Sequence, residues 1–171
     1  MAKLGRYASG RKTIEIITED KALTAGDCGT YFGLIGMTTL TCSLPLASSL
    51  PNGWTCRLYQ MGVTAIAITS SAEGTWDTGK GAFVGNIVNL SADAAAPRQH
   101  GINPVAMLPS TKIEFSPFPP AGGSGMLGDY IEITLAKGIY SNTGYPLRHL
   151  FVVNGVCSGS AGIVFSGSAT P

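Results

Sequence analysis

Apolar and polar residues alternate along this chain with the two-residue period of β-strands. Leu40, Cys42 and Leu44 alternate with Thr39, Thr41 and Ser43; Trp54, Cys56 and Leu58 alternate with Thr55, Arg57 and Tyr59; the pattern resumes from Ala65 to Thr69. No window of a dozen residues carries the i, i+3, i+4 spacing of an amphipathic helix. Strands are predicted over residues 12–18, 30–35, 38–44, 54–61, 65–70, 83–90, 112–115, 130–135, 147–153 and 163–166. Turn chemistry separates them: Ala25 to Gly29, the stop at Pro45, and Pro51-Asn52-Gly53, with at most one helical turn from Leu46 to Leu50. Residues 72–109 are richer in Gly, Ala and Pro, and are expected to hold short strands beyond 83–90 or to lie against a partner. Pro117, Pro119 and Pro120 followed by Gly122, Gly123 and Gly125 suit a projecting hairpin loop. These elements predict an all-β fold, a β-sandwich or jelly-roll-like domain over residues 13–171 with short strands and long loops, preceded by a basic N-terminal arm over residues 1–12.

Composition adds a second constraint. Only 12% of the 171 residues are charged, against about 25% in an average domain, and mean hydropathy is +0.24. A surface so poor in charge is expected to be covered by Ser, Thr, Asn and Gly or to be buried against other subunits, the more so because few lysines guard the strand edges. Net charge is +1, so no global field gathers nucleic acid or an anionic membrane. The local exception is the arm, where Lys3, Arg6, Arg11 and Lys12 all precede the first acid, Glu15. The arm does not lead into an apolar segment, which predicts no signal peptide and synthesis in the cytoplasm. No apolar run reaches the ~18 residues of a membrane span. Cys28, Cys42, Cys56 and Cys157 lack zinc-type spacing and read as buried or half-buried free thiols.

Candidate chemistry is sparse. Gly74 to Lys80 fits the body of a phosphate-binding loop, but Gly81 stands where Ser or Thr would hold magnesium, Asp77 would repel phosphate, and no helical pattern follows; a glycine-rich turn is the expectation. His149 falls in a strand, with a polar edge or interface role, and His100 in a loop; neither has metal-ligand neighbours. Glu15, Glu114 and Glu132 are each flanked by β-type residues, which predicts solvated strand charges, although Glu114 and Glu132 on facing strands would make a glycosidase pair. Among the aromatics, Trp54 is assigned to the core and Trp76 to the surface, with Tyr59 and Tyr140 as further members of any sugar-stacking platform. No enzyme, cofactor or metal site is expected.

The segment TLTCSLPLASSLPNGWTCRLYQMGVTAIAITSS, with AGDCGTYFGLIG before it, resembles a pattern of bacteriophage virion proteins. Its elements are the turn Gly26-Asp27-Cys28-Gly29, a strand from Thr39 to Pro45, the corner Leu50-Pro51, the pair Gly53-Trp54, and the alternating strand from Ala65 to Thr69; Gly128-Asp129-Tyr130-Ile131-Glu132 resembles a late strand of the same pattern. The resemblance implies a capsid decoration (cement) protein: a homotrimer on the virion's capsid surface, seated on junctions of the major capsid protein. Lys3, Arg6, Arg11 and Lys12 would contact the capsid; Trp76 and the loop with Pro117, Phe118, Pro119 and Pro120 would make subunit or shell contacts. The alternative it implies is a receptor-binding or adhesion module of a tail fibre or spike, with a host glycan as partner.

Overall fold

The computed structural model describes residues 14–72, 79–90, 98–100, 102–103, 108–117, 125–140, 148–158 and 162–167. The strands are β1 (Ile14–Ile17), β2 (Lys21–Ala22), β3 (Tyr31–Leu34), β4 (Leu40–Ser43), β5 (Thr55–Gln60), β6 (Ile66–Thr69) and β7 (Gly81–Asn89). They continue with β8 (Arg98–His100), β9 (Ile102–Asn103), β10 (Leu108–Pro109), β11 (Lys112–Phe115), β12 (Tyr130–Tyr140), β13 (Arg148–Cys157) and β14 (Ile163–Ser166). Single 3₁₀ turns occupy Ala25–Asp27 and Ala47–Ser49, where the sequence predicts a turn and at most one helical turn. The fold is all-β. A seven-stranded sheet in the order β1-β3-β5-β12-β13-β7-β8 packs on a five-stranded sheet in the order β14-β11-β6-β4-β2, and β9 and β10 form a separate pair.

The first six strands alternate between the two large sheets. Within the larger, β1, β3 and β5 are parallel, with Ile14 beside Tyr31 and Tyr31 beside Arg57. Within the smaller, β2, β4 and β6 are parallel, with Lys21 beside Cys42 and Cys42 beside Ile68. Parallel neighbours need a crossover, and here each crossover is a strand of the opposite sheet, so the chain winds as a flattened coil. β12 then pairs antiparallel with β5, and β11 antiparallel with β6, which fastens the C-terminal half onto the coil.

Inward positions of both sheets meet in one core. Phe32, Leu34, Leu58, Ile131, Ile133, Phe151 and Val153 of the larger sheet share it with Leu40, Cys42, Ile66, Ile68, Ile113 and Phe115 of the smaller. Trp54 is fully buried, as expected, and each large side chain removed from water here contributes roughly 1.5–3 kcal/mol. The corner before Trp54 follows from its residues: Trp54 N–H donates to Pro51 O (3.1 Å), and Gly53 takes the positive φ (+80°) that the third residue of such a turn requires.

Three sequence expectations are corrected, those for His100, His149 and Cys28. His100 belongs to β8, not to a loop, and His149 lies on β13, an interior strand between β12 and β7, not an edge. Residues 72–109 contribute β7 and, as expected there, the further short strands β8, β9 and β10, and Gly81 opens β7; of the Gly74–Lys80 stretch only Gly79 and Lys80 are among the described residues. Cys42, Cys56 and Cys157 are buried, but Cys28 is exposed.

Candidate functional surface

The outward face of the larger sheet is built from alternate residues of β3, β5 and β12: Tyr31, Arg57, Tyr59, Tyr130 and Glu132. Register lines up Tyr31, Arg57, Glu132 and Asn154 across four strands, and sets Gly33, Tyr59, Tyr130 and Val156 in the adjacent row. Arg57 is the centre of this surface. Its Nε and Nη2 donate to one oxygen of Glu132 (3.0 and 2.5 Å), and its Nη1 donates to the Tyr59 hydroxyl (3.2 Å). The guanidinium carbon lies 5.0 Å from the ring centroids of both Tyr31 and Tyr130, a double cation–π contact. Tyr59 stands between the other two rings, with centroids at 6.0 and 5.5 Å.

Beside this cluster the surface turns apolar. Ile14 is 69% exposed, Ile16 48%, Met61 48% and Leu127 58%. A groove of about 260 Å³ is lined by Ile14, Tyr31, Phe32, Gly33, Tyr59 and Met61, and a second of about 310 Å³ by Tyr59, Gln60, Met61, Leu127 and Gly128; Tyr59 and Met61 belong to both. Gly33 forms the floor, for a Cβ there would collide with Met61 and Ile16. In β1, Ile14 and Ile16 therefore face outward, while Glu15 and the buried Ile17 face inward. Glu15 is half-buried and ion-paired with Lys21, which also stands 5.3 Å from the Phe32 ring centroid. The bond from Glu15 is the chief reason that the Lys21 ammonium titrates above its usual range.

β1 is also an edge strand. Ile17 O accepts from Ile35 N–H (2.8 Å), which turns the backbone groups of Ile17 toward β3 and, by strand alternation, those of Ile16 to the open side. Among the described residues no strand pairs with that side.

Of the residues that sequence reasoning assigned to contact, Lys3, Arg6, Arg11, Lys12, Trp76, Phe118, Pro119 and Pro120 lie outside the described residues. Pro117 is half-buried at the base of its loop, where Gly125 N–H donates to Pro117 O (2.9 Å) and the buried Gln60 donates through Nε2 to Ser116 O (2.7 Å). That base adjoins the second groove through Gln60. The exposed isoleucines, Met61 and Leu127 were not foreseen. Alternation says which residues share a face, not which face is inward.

The carboxylates do not form a glycosidic pair. Glu132 projects from the outer face of one sheet and Glu114 from the outer face of the other, on opposite sides of the sandwich. Glu114 is held by Lys112 (2.7 Å) and by the Ser166 hydroxyl (3.0 Å), and the Lys112 bond chiefly lowers its pKa. Burial pushes the Cys42 thiol up to about 12, and raises Cys56 and Cys157 as well. Among the described residues no group of three or more His, Cys, Asp and Glu side chains is placed to hold a metal ion, and no helix is long and apolar enough to cross a membrane. Comparison with known protein families, with curated proteins and with solved structures finds no match for this chain.

Proposed function

We propose that this chain is a bacteriophage virion structural protein, a capsid decoration protein that binds the major capsid protein through the outer face of its larger sheet. The observation that carries this reading is the continuous apolar border of Ile14, Ile16, Met61 and Leu127 beside the Tyr31–Arg57–Tyr59–Tyr130 cluster. Isolated exposed aliphatic residues are ordinary on soluble proteins, but several around adjoining grooves mark a surface that another molecule covers. Aromatic residues and arginine are the types that concentrate binding energy at protein interfaces. The sequence resemblance supplies the class of partner, and the low charge content suits burial. Such a protein acts by mass action: whatever binds the assembled shell and not its parts stabilises the shell.

Purified protein mixed with expanded, undecorated capsids tests the reading. The wild type is expected to bind and to raise the temperature at which the shells rupture, whereas Ile16→Lys and Met61→Glu are expected to weaken binding at least about tenfold while remaining folded. Failure of the wild type to bind, or full binding by both variants, would overturn it. Glycan binding lost in Tyr59→Ala, with no capsid binding, would favour a receptor-binding module instead.

A further inference from the structure

The long β12–β13 hairpin contains one break. Pairing runs without interruption from Tyr130–Val156 to Ala136–Leu150 and resumes at Tyr140–Arg148, so Lys137, Gly138 and residue 139 all stand opposite the single residue His149. Gly138 has a φ of +64°, the left-handed conformation that a bulge of this kind requires of a glycine. Its N–H has no ladder carbonyl to meet and donates instead to His149 Nδ1 (3.1 Å). A side chain thus replaces a backbone acceptor at this point.

The bulge is fastened on its other side to the corner before Trp54. Lys137 N–H donates to Asn52 Oδ1 (3.0 Å), and Lys137 Nζ donates to Ser48 O (3.0 Å). Ser48 N–H in turn donates to Gly79 O (3.1 Å), two residues before β7. One imidazole, one lysine and one 3₁₀ turn therefore join β12, β13, the corner and the entry to β7.

We propose that this bulge is a proton-sensitive latch: closed while His149 Nδ1 carries a lone pair, and open once a proton from solvent occupies that position. An imidazole accepting at Nδ1 is neutral and carries its hydrogen on Nε2. Protonation places an N–H where Gly138 needs an acceptor, so two donors face each other and the bond is lost. It also sets a cation near Lys137, the residue that ties the bulge to the corner.

The surroundings set the direction of the response. Burial first, and then the Lys137 charge, keep the His149 pKa below its usual 6.5. Arg148 precedes it on β13, and alternation turns that side chain to the opposite face. Lys80 adjoins Gly81, the β7 partner of His149, just before that strand begins. Ala47–Ser49 contributes no charge. A group whose folded pKa is depressed stabilises the fold above its unfolded value, and that contribution is lost as pH falls through the folded value. The latch is accordingly shut at neutral pH and opens on the acid side of 6.5.

The test is a titration of the isotope-labelled full chain by NMR, from about pH 7.5 to about pH 4.5. The expected result is a His149 pKa below 6.5, with the Gly138 amide shift following the same curve. After correction for intrinsic chemistry, Gly138 hydrogen exchange should accelerate as pH falls, by at most about tenfold per unit between 6.5 and the folded His149 pKa, and level off below it. His149→Asn can offer Oδ1 as acceptor without titrating, and is expected to keep the Gly138 amide protected throughout the range. A His149 pKa at or above 6.5, a Gly138 amide indifferent to the His149 titration, or the same acid transition in His149→Asn would each overturn the proposal. The wild-type titration decides the matter even if the variant fails to fold.

Discussion

A carboxylate inside an apolar protein is costly unless its oxygens are hydrogen-bonded, and Asp129, 2% exposed, has both oxygens engaged. One accepts from Ser158 N–H (2.8 Å) and the other from Met126 N–H (3.0 Å), while its own carbonyl accepts from Gln60 N–H (2.8 Å). Gly128 before it takes a φ of +92°. The Gly-Asp pair is thus a device for turning the chain into β12. Gly26-Asp27 does related work: the Asp27 carboxylate accepts from the N–H and hydroxyl of Thr24 (2.7 and 2.8 Å). Asp129→Ala would leave the Met126 and Ser158 N–H groups without their acceptor and is expected to cost about 1–3 kcal/mol, read from urea unfolding; an unchanged midpoint would refute this account. Gly26-Asp27 was visible in the sequence as a turn, whereas Gly128-Asp129 was read only as the start of a late strand. The exposure of Ile14 and Ile16 was not, because an Ile-Glu-Ile triplet is equally consistent with either face inward, and Lys21, which draws Glu15 in, belongs to another strand.

Among the elements, β7 shows how closely the parallel ladders are fitted. Gly85 has a φ of +149° and pairs with Val153; a Cβ at this position would strike the Val153 backbone. Gly85→Ala is expected to destabilise the protein by about 3 kcal/mol or more, since neither the conformation nor the space suits a side chain. Equilibrium denaturation of the purified variant measures this, and a change within about 0.5 kcal/mol would contradict the geometry. The sequence showed most of these strands through their alternation, but not their direction. Apolar-polar alternation is the same for parallel and antiparallel neighbours, and the partners of β1, β3 and β5 depend on crossovers through the other sheet. β12 and β13 also run beyond their predicted ends. Gly138 in β12 resembles a turn signal, yet the hairpin absorbs it as a bulge held by His149.

At the scale of the whole molecule, low charge and a shared two-sheet core account for the inertness expected of the thiols. Cys42, Cys56 and Cys157 are buried and disfavour the thiolate, whereas Cys28 is exposed. A thiol reagent applied to the native protein is therefore expected to modify one of the four cysteines rapidly and the rest only after unfolding. Rapid labelling of a second site would show that the core opens more readily than this packing implies. The sequence pointed to an all-β sandwich; it did not locate the surface for contact, because exposed aliphatic residues become conspicuous only once their neighbours are known.

The coiled course of the first six strands also orders events in time. Its ladders join residues fewer than about 30 positions apart, so their closure demands little loop entropy. The bond from Arg57 to Glu132 spans 75 positions, and β12 cannot seat until β5 offers it an edge. The rate of folding should therefore be set by the capture of the C-terminal hairpin on a coil already wound, and until that capture β5 is exposed to pairing with the wrong chain.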